Sequence, residues 1–153
     1  MNKRNVKRFI IVLLFIPVFF FIGCSRGGRA SAGTNVIEIR ERMFVGQVND
    51  IYQNAQDYLG RAIKLEGVFV RGQREESGGF NNFVLRYGPG CCGDDGNVGF
   101  EVRWAGNQNY PEHDSWVEAV GELKTYRRGT GSSLYLELIS LNVLNRRGAE
   151  FVN

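Results

Sequence analysis

From Ile63 onward the apolar residues recur at every second position, and that period constrains the chain more than any other feature. Ile63, Leu65 and Phe69 alternate with Lys64, Glu66 and Val68, with Gly67 interrupting the run. Phe83, Leu85 and Tyr87 form a second set, and Val98, Phe100, Val102 and Trp104 a third. Val117, Ala119 and Leu123 lie on one face of a fourth around Gly121, and Leu134, Leu136 and Leu138 begin a fifth that runs toward Leu144. Alternate side chains of an extended strand point to opposite faces, so each set predicts a strand with one buried face. The turn-forming segments between them are Ser77-Gly78-Gly79, the glycine-rich stretch 88–96, Gly106 to Pro111, and Arg128-Gly129-Thr130-Gly131.

Five antiparallel strands in about 85 residues suit a small closed sheet. Interior glycines such as Gly67 and Gly121 mark the sharp bends that a small barrel needs. The expected fold is mainly β with an N-terminal helix: a small five-stranded OB-like barrel, with an up-and-down barrel or a sandwich as alternatives. The helix is read over residues 42–54, where Phe44, Val48, Ile51 and Tyr52 share one face and Asn49, Asp50, Gln53 and Asn54 the other. Val36-Ile37-Glu38-Ile39 before it has the character of a strand. Residues 36–153 suit a single core.

The N-terminus carries an address. Residues 1–8 hold four basic residues and no acid, and Phe9 to Ile22 form an apolar run of fourteen residues that ends at Gly23-Cys24. That is the three-part layout of an export signal, and it is short of the roughly 20 apolar residues of a membrane span. Phe21-Ile22-Gly23-Cys24 resembles a bacterial lipobox, with Phe21 where leucine is usual. Residues 1–24 are therefore read as a lipoprotein signal whose Cys24 is acylated, the membrane lipid being the chain's first partner. The expected location is the cell envelope, on the extracytoplasmic side of a bacterial membrane. Residues 25–35, built only from Ser, Gly, Arg, Ala, Thr and Asn, have the composition of a flexible tether.

Loss of the leader alters the charge. The chain has 19 Lys and Arg against 16 Asp and Glu, and Lys3, Arg4, Lys7 and Arg8 lie in the leader. The remainder has 15 basic and 16 acidic groups, a net charge near −1. This balance gives no footprint for nucleic acid.

The least ordinary segment joins the second and third strands: Arg86-Tyr87-Gly88-Pro89-Gly90-Cys91-Cys92-Gly93-Asp94-Asp95-Gly96. Cys91 and Cys92 allow three readings. They can be thiolate ligands for a soft metal, zinc or copper, with Asp94, Asp95 or His113; they can form a vicinal disulfide, which an exported compartment favours; or they can be two small structural residues. Adjacent cysteines do not match the two-to-four-residue separation of familiar zinc sites. Consecutive carboxylates likewise do not match the alternate ligand positions of a calcium loop.

No catalytic residue is assigned. His113 is the sole histidine, set in a polar turn, and no nucleophile-elbow, zinc-protease or phosphate-loop motif occurs. Tyr87, Trp104 and Trp116 are the aromatic candidates for a binding surface. Glu101 and Arg103, opposite Phe100 and Val102, are read as a solvated charge pair.

Several stretches together resemble the C-terminal domain of the YcgQ-type proteins, predicted subunits of two-component membrane permeases. These are Phe44 to Tyr52 (FVGQVNDIY), Asp57-Tyr58-Leu59-Gly60 and Ile63-Lys64-Leu65-Glu66-Gly67. Arg86-Tyr87-Gly88 followed by Cys91-Cys92, Trp116 to Gly121 (WVEAVG) and Val143-Leu144-Asn145 continue it. The resemblance covers essentially all of residues 36–153. It implies a β-rich extracytoplasmic domain of unknown function near a permease subunit, handling a metal or a small solute. The lipoprotein signal stands where members of that family carry transmembrane helices.

Overall fold

The structure is a computed structural model that describes residues 36–73, 80–89 and 95–153. The signal with Cys24, the tether, and Cys91, Cys92 and Asp94 lie outside the described residues, as does the side chain of Asp95. The elements are β1 (Ile37–Glu38), a 3₁₀ turn (Glu41–Met43), α1 (Phe44–Gln53), α2 (Ala55–Tyr58), β2 (Ala62–Gln73), β3 (Phe80–Pro89), β4 (Asp95–Arg103), β5 (Trp116–Arg128) and β6 (Gly131–Val143).

The strand order is β1-β2-β3-β4-β6-β5, and β5 pairs back onto β2, so β2 to β6 close on themselves. Each half of β2 serves a different neighbour. Ala62 to Val68 pair with β5, and Val68 to Gln73 pair with β3. The strand turns the corner at Gly67, where a Cβ would lie 2.5 Å from the Leu85 carbonyl oxygen. A second bend falls at the register shift between Val120 and Gly121, where a Cβ on Gly121 would lie 2.9 Å from the Glu137 carbonyl oxygen. Both glycines thus mark bends, as their place inside strand patterns implied.

One pairing departs from the all-antiparallel expectation. β4 and β6 run parallel through Glu101↔Tyr135, Val102↔Leu136 and Arg103↔Glu137. That pair is what makes the circular order β2-β3-β4-β6-β5 the Greek-key barrel of an OB fold and not an up-and-down barrel. β1 is also parallel, laid along β2.

The barrel interior is filled by Ile63, Leu65, Phe69, Val84, Phe100, Val102, Val117, Ala119, Leu123, Leu136 and Leu138. α1 adds Phe44, Val48 and Ile51 at helical spacing. A ten-residue helix is marginal alone, but burial of each such side chain contributes roughly 1.5–3 kcal/mol, so packing holds it in place. The connection between β4 and β5 covers β2: Phe69 N–H donates to Ser115 O (2.8 Å), Asp114 N–H donates to Phe69 O (2.9 Å), and Tyr110 stacks on Phe69.

Register on β3 differs from the sequence pattern. The interior position is Val84, flanked on the same face by buried Asn82 and Arg86, whereas Phe83 and Tyr87 are half-buried on the other side. A one-residue slip exchanges the faces of a strand; here Arg86 takes an inward position because partners receive it, whereas the Asn82 Oδ1 is buried without a hydrogen bond among the described residues.

Gly46, exposed on α1, offers a check on the helix. A Cβ there would meet nothing within 4 Å. Gly46→Ala should stabilise the domain by roughly 0.5–1 kcal/mol, because alanine loses less backbone entropy on entering a helix. Thermal unfolding followed by circular dichroism would show it as a higher Tm, and a lower Tm would contradict the described helix.

Candidate functional site

Two buried charged residues on adjacent barrel strands are used in different ways. Arg86 keeps only 2% of its surface. Its Nε donates to Glu66 O (2.8 Å), and its Nη1 donates to Glu41 Oε2 (2.9 Å) and Ala149 O (3.0 Å). The guanidinium also lies over the rings of Phe44 (5.0 Å) and Trp116 (4.8 Å). One side chain therefore joins the bend of β2, the 3₁₀ turn, α1, β5 and the segment that follows β6. Beside it, Tyr87 N–H donates to Glu150 O (2.7 Å) and Val152 N–H donates to Tyr87 O (2.8 Å), which seats Val152 in the core. With these donors and acceptors paired, Arg86 is a fastener.

Glu101 is the other case. It retains 6% of its surface, so it is not the solvated partner that the sequence suggested. Its Oε1 accepts from Arg103 Nε (2.8 Å), with Arg103 Nη2 2.7 Å away, and its Oε2 accepts from the Tyr126 hydroxyl (2.7 Å). The Arg103 guanidinium is in turn stacked over Tyr126 (3.8 Å) and Tyr135 (4.8 Å), whose rings meet edge to face. Parallel pairing of β4 with β6 sets Tyr135 directly beside Glu101, so this arrangement follows from the OB connectivity. Stacking and a charge-assisted bond fix Arg103 in one orientation.

Glu101 and Tyr126 also face a half-open cavity of about 380 Å³, within the ~300–1,000 Å³ range of small-ligand clefts. α1 and α2 form one wall through Tyr52 and Gln56, β3 contributes Phe83, and the β5–β6 hairpin contributes Arg128, Ser132 and Ser133. β3 and β4 are the second and third barrel strands, the face on which OB barrels hold oligonucleotides and oligosaccharides. Tyr52 stacks on Phe100 (5.3 Å, 5° between planes), and its hydroxyl donates to Gly99 O (3.0 Å). Burial of that hydroxyl, then the nearby Glu101 and Tyr126, push its pKa up to about 12. Although Tyr52 as a residue is 47% exposed, its polar end is the part turned inward, so it stays a neutral donor at ordinary pH.

The aromatic candidates do not form a shared platform. Trp116 is 3% exposed and lies under Arg86. Trp104 packs against the core, and its backbone N–H donates to the Tyr110 hydroxyl (3.1 Å). Tyr87 meets Phe151 at 5.5 Å. The exposed His113 accepts the Arg71 N–H on Nδ1 (3.1 Å) and so completes a backbone bond at the end of β2. Among the described residues, no group of three or more His, Cys, Asp or Glu is placed to hold a metal ion. Cys91, Cys92 and Asp94 lie outside them; Asp95 opens β4, its backbone paired with Pro89.

Tyr52, Glu101, Arg103, Tyr126 and the hairpin serines were not assembled from sequence. One signal was present: opposite charges at positions 101 and 103 share a face of one strand, so a fixed pair was readable. Its burial was not, because the parallel neighbour beside it, Tyr135, comes 34 positions later.

The family model of the DUF1980 C-terminal domain matches residues 26–146, which takes in the barrel strands and the cavity walls. No curated protein matches the chain. The chain belongs to the DUF1980 C-terminal domain family.

Proposed function

We propose that this protein is a lipid-anchored accessory module. A non-catalytic OB-type barrel is held on the extracytoplasmic side of a bacterial membrane by acylated Cys24, beside a permease subunit. The observation that carries the reading is the junction at Phe21-Ile22-Gly23-Cys24. There a fourteen-residue apolar run ends, and a polar tether leads to a barrel whose first paired residue is Ile37. No helix among the described residues is long and apolar enough to cross a membrane. The permease is proposed from the likeness to the YcgQ-type proteins. The non-catalytic reading is supported by the sequence, in which no nucleophile-elbow, zinc-protease or phosphate-loop motif occurs.

Metabolic labelling with palmitate tests the anchor. The full chain should take up label and sediment with membranes, and Cys24→Ala should take up none. Label in the variant, or none in the parent protein, would sink the reading. Affinity purification in mild detergent should recover a permease subunit identified by mass; a preparation with no membrane-protein partner would remove the permease from the proposal.

A further inference from the structure

We propose that the cavity between α1, β3, β4 and the β5–β6 hairpin binds a short stretch of oligosaccharide. This goes beyond the anchoring proposal and does not depend on it.

The charge in the floor excludes other ligand classes. Glu101 is already paired with Arg103, and Arg103 is held between two tyrosine rings. A cationic ligand would meet the fixed guanidinium beside the carboxylate, and an anion would meet the carboxylate. Nucleic acid needs a basic track, whereas the cavity wall offers one outward cation, Arg128. A purely apolar ligand would cover the serine hydroxyls and Gln56 without pairing them, which is costly.

What remains is a polyhydroxylated ligand with flat C–H faces, uncharged where it meets the floor, and the walls answer each requirement. Phe83, Tyr52 and Tyr126 supply rings. Ser132, Ser133 and Gln56 supply groups that both donate and accept, as sugar hydroxyls do. A carboxylate has about four acceptor positions, and Tyr126 takes one on Oε2, so Glu101 can accept from a ligand hydroxyl without losing its present partners. The half-open shape leaves room for a chain that continues beyond the cleft. Arg128, which has no ion-pair partner among the described residues, would favour sugars that carry a carboxylate.

The test is calorimetric titration of the full chain in detergent with chitotetraose (neutral) and tetragalacturonate (acidic). Saturable binding of at least one is expected. Gln56→Ala combined with Ser132→Ala and Ser133→Ala should weaken it ~10-fold or more, from three hydrogen bonds of about 1 kcal/mol each, with Tm unchanged because these side chains line an open wall. Tyr126→Phe, which keeps the ring, should weaken it less than the triple change. Arg128→Ala should reduce only the acidic sugar. The proposal is overturned if neither sugar binds at millimolar concentration, if the triple variant binds as the parent does, or if an extended peptide competes for the groove and the sugars do not. None of these results would alter palmitate uptake at Cys24, so the two proposals fail separately.

Discussion

Arg86→Met is expected to destabilise the domain by about 2–4 kcal/mol, because it removes a buried side chain that makes three hydrogen bonds, one of them to a carboxylate. Methionine fills much of the volume and still packs on Phe44 and Trp116. It removes the donor to Glu66 O and Ala149 O, part-buried bonds of about 1 kcal/mol each, and the charged bond to Glu41, about 1.5–3 kcal/mol before screening at that exposed carboxylate, which keeps only the Ala149 N–H. Arg86→Lys should recover only part of the loss, since an ammonium cannot span three acceptors in one plane. Urea unfolding would measure both; a loss under 1 kcal/mol for Arg86→Met would show that Arg86 is not a fastener. The same contact has a pH signature. The hydrogen bond from Arg86, then that from Ala149 N–H, hold the Glu41 carboxyl below its ordinary 4.5. A group depressed on folding contributes stability that is present above its unfolded pKa and is lost as pH falls through the folded one. Acidification from about pH 4.5 downward should therefore weaken the parent protein. Glu41→Gln should reduce that slope.

Gly99→Ala should be comparably damaging, at about 1–3 kcal/mol or more, the range for overpacking, although it adds a single methyl. A Cβ at this position would collide with Val84 O and lie 2.6 Å from Leu85 Cα. Backbone cannot move aside as a flexible side-chain tip can, so β3 and β4 would have to part at the centre of their ladder, where Leu85 pairs with Gly99. The variant should also shift Tyr52, whose hydroxyl donates to Gly99 O, and the tyrosine environment seen by near-UV circular dichroism should change with it. Equal stability of Gly99→Ala and the parent would mean that the two strands are not so close. Gly46→Ala, with open space around it, serves as the control for composition.

The contrast between these glycines shows how much the sequence reveals. Gly67 and Gly121 announced themselves by interrupting alternating runs, and both sit at bends. Gly99 stands between Val98 and Phe100 in an unbroken pattern, and its role is set by a strand approaching from β3, which local spacing does not encode. The same division runs through the rest of the fold. The period-two segments gave five strands, and Phe44, Val48 and Ile51 gave the helix, because burial of one face leaves a periodic trace. β3 was placed one residue out, because its inward row carries Asn82 and Arg86, and a polar residue at an inward position reads as outward until its partner is known. Arg86's partner Glu41 lies 45 positions away, and Glu101's partner Tyr126 lies 25 away. The candidate cleft was illegible for this reason: its walls come from α1, β3, β4, β5 and β6, and no single segment contains two of its sides.

The Glu41–Ala149 contact closes a loop of 108 positions, and Val152 is part of the same core as Ile39. Contacts so distant in sequence are formed late, after their loop entropy has been overcome. The barrel therefore has a timing constraint. Until the chain has emerged as far as Val152, one end of the core stands open, Tyr87 has unpaired backbone groups, and Arg86 lacks an acceptor. A chain that stops short of Val152 would thus leave apolar surface at that end of the core uncovered.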